Sequence, residues 1–126
     1  MSLVVDASVV LAVILAEPGG NVVSESLRGA TMSVVNVSEV YRRLHDGGLE
    51  MNDAVAAVER LKLVLVAFDE TQAIEAARLR PATRKIGASF ADRACLALAL
   101  KTGFPVLTAD KLWGLLELPI DIRMIR

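Results

Sequence analysis

Four carboxylates in this sequence could act together on one charged substrate: Asp6, Glu39, Asp92 and Asp110. Asp92 is the most informative. It lies in Gly87-Ala-Ser-Phe-Ala-Asp92-Arg-Ala-Cys-Leu-Ala-Leu-Ala-Leu-Lys101, which predicts a helix apolar almost all round. At about 100° per residue Asp92 shares a face with Ala88, Cys95, Leu96 and Ala99, while Arg93, Ala97 and Lys101 occupy the wetter side. A carboxylate on the apolar face of a buried helix is costly unless its charge is compensated. A salt bridge, a proton or a metal ion could each do so.

The other acids belong to strand ends and helix starts. Asp6 closes the apolar run Leu3-Val4-Val5, and Asp110 follows Val106-Leu107-Thr108 within two residues. Glu39 falls in the first turn of a helix expected from Asn36, and Asp92 in the first turn of its own. Each has an ordinary reading as well. Asp6 and Asp110 suit helix N-caps. The pairs Asn36/Glu39 and Ser89/Asp92 have capping-box spacing, and Glu39 lies off the apolar stripe of its helix.

Taken together, the four acids ask for more. In a parallel sheet, ligands bind beyond the carboxyl ends of the strands where strand order reverses. If the strands of Asp6 and Asp110 flank that point, all four carboxylates face one crevice, and their repulsion calls for protonation or a cation. Hard oxygen donors of this kind suit Mg²⁺ or Mn²⁺, which are often shared with substrate phosphates. Such an ion can activate water and stabilise charge on a phosphodiester under in-line attack. Ser8 and Thr108 are placed to orient Asp6 and Asp110 through their hydroxyls.

Rival chemistries are poorly supplied. His45, the only histidine, sits at a polar helix end, and Cys95 follows the buried face. Gly19-Gly20 and Gly47-Gly48 follow helices, where glycine stops a helix and does not cradle phosphate. Trp113 reads as packing beside the acidic end, with stacking on a base as the alternative.

The elements that must position these residues alternate. Strands are expected at 3–5, 32–35, 63–68, 106–108 and 120–125, the last at an edge. Helices are expected at 7–16, 22–27, 36–46, from Asn52 or Asp53, and at 69–80, ahead of the central helix and a short turn at 111–116. The pattern predicts an α/β sandwich with a mainly parallel, roughly five-stranded sheet. The 54% hydrophobic content is ample for one core, so residues 1–126 are expected to form one domain. A net charge of −1 gives no global field for nucleic acid, so any such contact must be local. One cysteine excludes an internal disulfide and suits a reducing, cytoplasmic setting. Leu3 to Leu15 resembles a signal-peptide core, but Asp6 interrupts it and no basic residue precedes it, so export is not expected. No apolar run approaches the ~18 residues of a membrane span.

The stretches Val4-Val-Asp6-Ala-Ser8 with Glu17-Pro-Gly19, Asn36-Val-Ser-Glu39-Val, Ser89-Phe-Ala-Asp92-Arg-Ala-Cys-Leu-Ala-Leu-Ala99 and Val106-Leu-Thr-Ala-Asp110-Lys-Leu-Trp113 resemble the PIN-domain ribonucleases, and among them the VapC-type toxins of toxin–antitoxin pairs. The match runs along nearly the whole chain. The one departure is Ala91, where glycine is frequent. The resemblance implies a three-layer α/β/α fold and Mg²⁺- or Mn²⁺-dependent cleavage of single-stranded or loop RNA, with a transfer RNA or ribosomal RNA loop as the kind of target. It implies that Asp6 and Asp92 are the primary metal ligands, that Glu39 binds the metal or its water, and that Asp110 completes the set. It also implies a homodimer and a cognate antitoxin that covers the site.

RNA phosphates could be met by Arg84 and Lys85, in the basic stretch leading into the helix of Asp92, and with less support by Arg42 and Arg43. Two other readings compete. A receiver-like signalling domain has similar alternation and an Mg²⁺-binding acid cluster, with Asp69 after the third strand as its phospho-acceptor, but Asp6 lacks the paired acid such a domain uses. A non-catalytic PIN-like interaction module is the third.

Overall fold

The computed structural model describes residues 2–126. Five strands, β1 (Val4–Val5), β2 (Thr31–Ser33), β3 (Val64–Val66), β4 (Val106–Thr108) and β5 (Ile122–Met124), form one sheet in the order β3-β2-β1-β4-β5. Every pairing is parallel. Around it stand α1 (Ala7–Ile14), α2 (Gly20–Val23), α3 (Val34–Asp46), α4 (Met51–Glu59), α5 (Glu70–Arg78), α6 (Arg80–Thr83) and α7 (Phe90–Thr102). The expected α/β/α sandwich is what forms.

β1 shows why the chain makes three layers. Its two valines are fully buried and point to opposite faces, as strand geometry requires. Val5 joins Val9, Val10, Val37 and Val40 beneath α1 and α3. Val4 joins Leu96, Leu98, Ala76 and Trp113 beneath α7 and α5. One short strand therefore feeds both cores, and the acid after it is held from both sides.

Several expectations change. The third helix begins at Val34, capped by Ser33, whose side chain accepts from the Val35 amide. Val34-Val35 has strand composition, but the Ser33 cap draws it into the helix. Helix continues through Pro81-Ala82-Thr83, past the expected end at residue 80, because proline is accommodated in a first helical turn. Ala97 is buried, since α5 covers the side of α7 that was expected to be wet. Gly19-Gly20 also does more than stop a helix: a Cβ on Gly20 would collide with the Ala12 carbonyl, so glycine lets α2 close onto α1. Among the described residues, no helix is long and apolar enough to cross a membrane.

Candidate active site

From β1 the chain passes to β2 and β3 on one side, then returns to β4 on the other, so strand order reverses between β1 and β4. Asp6 and Asp110 follow the carboxyl ends of these two strands. Asp6 is buried, 5% exposed. Its Oδ1 accepts from the Ser8 hydroxyl at 2.6 Å and the Val9 amide at 3.1 Å, and its Oδ2 accepts from the Thr108 hydroxyl at 2.7 Å. Asp6 is therefore also the N-cap of α1, so the ordinary reading and the site coexist in one residue. Ser8 in turn accepts from the Ala109 amide at 2.9 Å, and Thr108 from the Asp110 amide at 3.0 Å. Both expected hydroxyls thus tie the two strand ends together.

Burial pushes the Asp6 carboxyl up from 3.8 to about 6, against the lowering effect of its three hydrogen bonds, and the charge of Asp92 adds a little more. Glu39 is half-buried in the second turn of α3, and its carboxyl is raised by burial first and by Asp92 second, with Arg42 and Arg43 opposing. The Asn36/Glu39 capping box does not form, because the helix is already capped at Ser33. Cys95 lies fully buried below these acids. Burial, then the charges of Asp6, Asp92 and Glu39, push its thiol well up, so it is no thiolate nucleophile. Three carboxylates thus converge electrostatically on one buried region.

Asp92 does form its capping box. Its Oδ2 accepts from the Ser89 amide at 3.0 Å, and the Ser89 hydroxyl accepts from the Asp92 amide at 3.1 Å. Asp110 caps the tight turn Lys111–Leu115, its Oδ1 accepting from the Leu112 amide at 3.0 Å. With these side chains drawn back to their own helix starts, no three His, Cys, Asp or Glu side chains among the described residues close into a metal-ligating group.

Compensation by protein cations is also absent from the ion pairs of the described residues. Lys101 pairs with Asp69, Lys85 with Glu117 and Arg42 with Asp46, none of them with the four acids. Arg93, beside Asp92 in sequence, donates instead to the Ala76 carbonyl at 3.0 Å. Among the described residues only Arg42 and Arg43 act on the set, on Glu39 and without an ion pair to it, so the hard oxygen donors suit a divalent ion that keeps most of its waters and takes one or two carboxylates.

The remaining candidates are plainly placed. Arg84 and Lys85 are exposed on a tight turn just ahead of α7. His45 meets the Leu49 carbonyl at 2.8 Å from its Nδ1 at the end of α3. Trp113 is fully buried, which rules out stacking on a base. Asp69 caps α5 after β3, an edge strand two removed from β1, so it cannot share a site with Asp6 as a receiver domain requires.

Sequence reasoning missed Asn36. Its amide donates to the Ala91 carbonyl at 2.9 Å, one residue before Asp92. The available signal was its place one helical turn before Val40, on the buried stripe of α3.

The fold is shared with solved structures over essentially the full chain. A toxin–antitoxin complex from Klebsiella pneumoniae matches at TM-score 0.75 and 14% identity, covering 100% of this chain and 98% of that one. DNA-bound VapBC from Salmonella typhimurium matches at TM-score 0.75 and 17% identity, covering 100% and 99%. VapBC2 from Rickettsia felis, bound to a promoter DNA fragment, matches at TM-score 0.74 and 10% identity, covering 98% of each chain. No curated protein matches in sequence. The family model of the PIN domain matches residues 3–114, nearly the whole chain and all four acids, and the chain belongs to the PIN-domain family.

Proposed function

We propose that this protein is a metal-dependent endoribonuclease that cuts single-stranded or loop RNA, and that it is the toxin of a toxin–antitoxin pair. The observation that carries the reading is Asp6: a buried carboxylate at the sheet's switch point that feels the charge of Asp92 and has no ion pair to a protein cation among the described residues. Asp6 and Asp92 would hold Mg²⁺ or Mn²⁺, Glu39 would meet the ion or its water, and Asp110 would complete the donor set. When bound, the ion supplies an activated water and charge stabilisation at the phosphodiester. Ser8 and Thr108 fix Asp6 in place, so that its oxygens need little reorganisation to accept a cation. The reducing cytoplasm suits the lone, buried thiol.

An antitoxin partner is supported by the complexes that share the fold. Phe90, Leu112 and Leu115 stand at least half exposed on the elements that carry Asp92 and Asp110, an apolar surround such a partner could cover. A homodimer belongs to the same reading.

The test is RNA cleavage by purified, antitoxin-free protein with Mn²⁺, Mg²⁺ or EDTA, beside Asp92→Asn. Cleavage should require metal and fall to background in the variant. Metal-independent cleavage, or full activity in Asp92→Asn, sinks the proposal, and no cleavage across varied structured RNAs by protein that binds no Mn²⁺ favours an interaction module.

Arg84 and Lys85 are proposed to meet RNA phosphates. Replacing both with alanine should weaken RNA binding and reduce the log–log salt slope by about 1.4, that is ~0.7 for each single-strand phosphate no longer neutralised. An unchanged slope in a binding titration assigns the pair to a solvated loop.

A further inference from the structure

The buried face of α3 consists of Asn36, Val37, Val40 and Leu44, and Asn36 alone among them is polar. It is 1% exposed. Its Nδ2 donates to the Ala91 carbonyl at 2.9 Å, while its Oδ1, equally buried, has no hydrogen-bond partner. A buried acceptor left without a donor gives up its hydrogen bonds to water and gains none in return.

The Ala91 carbonyl does not need the bond. As the second residue of α7 it already accepts the amide four residues on, as any helical carbonyl does. The Asn36 amide is therefore an added donor, and an apolar side chain of similar size would avoid the orphaned oxygen. Stability gives no reason for asparagine here. Placement does. Asn36 and Glu39 lie three residues apart on α3, so they share one side of it, and Ala91 adjoins Asp92. Glu39, Ser38, Ser89 and Ala91 line one open cleft of about 380 Å³ between the two helices.

We propose that Asn36 is a positioning residue: its amide clamps the first turn of α7 to α3 and so sets the spacing between the carboxylates of Glu39 and Asp92. The inference rests on the nuclease reading, since that spacing matters only if the two acids act on a common ion. Asn36 itself does not touch substrate.

The test is Asn36→Leu, with Asn36→Ala as a second variant that cannot clash. Three quantities are measured on antitoxin-free protein: metal-free Tm, Mn²⁺ affinity by calorimetry, and RNA cleavage. Loss of a residue that orients ligands weakens metal binding by about 10–100-fold, and that loss is expected here, with a matching fall in kcat, an unchanged KM for RNA, and a Tm for Asn36→Leu equal to wild type or higher. Unchanged Mn²⁺ affinity and kcat in either folded variant overturn the proposal, as does a lowered Tm with unchanged Mn²⁺ affinity, which assigns Asn36 to packing. Wild-type protein that binds Mn²⁺ but cuts no RNA sinks the nuclease reading alone, and Asn36 is then judged on Mn²⁺ affinity. Wild-type protein that binds no Mn²⁺ overturns both.

Discussion

Asp6→Asn is expected to make the metal-free protein more stable at pH 8 while abolishing metal-dependent cleavage. Burial raises the folded-state pKa of Asp6 from 3.8 to about 6. The folded protein therefore holds this proton more tightly than the unfolded chain does. Its stabilising contribution is fully present below pH 4, is lost as pH rises through about 6, and stays lost above. A shift of about two units corresponds to about 3 kcal/mol, a substantial part of the 5–15 kcal/mol that holds a domain together. Asparagine mimics the protonated acid. It keeps an acceptor for Ser8 and Val9 at Oδ1, and its amide can donate to Thr108 where Oδ2 now accepts. Urea unfolding from pH 4.5 to 8 should show stability falling with pH in wild type relative to the variant. Parallel profiles would mean that Asp6 titrates normally and that the site carries no buried charge. Mn²⁺ should stabilise wild type more at pH 8 than at pH 5, and should stabilise Asp6→Asn little at either.

The same conflict between stability and chemistry explains what was legible in the sequence. Asp6 and Asp110 were readable because each interrupts or follows a run of residues that only a buried strand accounts for, and strand ends fix position to within a residue. The core was readable for the same reason: Val4 and Val5 could only belong to a strand covered on both sides. Boundaries set by local chemistry were harder. Val34-Val35 has strand composition, and only the Ser33 hydroxyl accepting the Val35 amide turns it into helix. That two-residue shift moved Glu39 from the first turn to the second and concealed the role of Asn36. Periodicity places Asp92 on the face it shares with Cys95 and Leu96, yet it says nothing of where the carboxylate turns, and the capping box turns it toward Ser89. Nor could sequence show that α5 would cover Ala97, since that depends on how two distant helices meet.

Trp113→Ala should be the most damaging change to the fold, and Trp113→Phe among the mildest large-to-small changes in the core. Trp113 is fully buried and packs with Val4, Val106 and Leu96. Removing a buried indole costs about 3–5 kcal/mol, through reduced apolar burial and the cavity left behind. The indole N–H has no hydrogen-bond partner, however, and an unpaired buried donor is itself worth about 1–3 kcal/mol of penalty. Phenylalanine keeps most of the ring and discards that donor, so its cost should be less than half that of alanine. The consequence reaches the site because Trp113 lies in the turn that Asp110 caps. The Trp113 amide donates to the Asp110 carbonyl at 3.1 Å, and the Leu112 amide to the Asp110 side chain at 3.0 Å. A loosened turn therefore frees Asp110 from the position that Thr108 gives its backbone. Trp113 is the only tryptophan, so unfolding of the variants must be followed by circular dichroism in urea, and hydrogen exchange at Leu112 reports the turn directly. If Trp113→Phe proves as costly as Trp113→Ala, the indole N–H is paired in solution and the anchor is polar rather than apolar. If only alanine is costly and Leu112 exchange quickens with it, the core residue and the acid it follows form one mechanical unit.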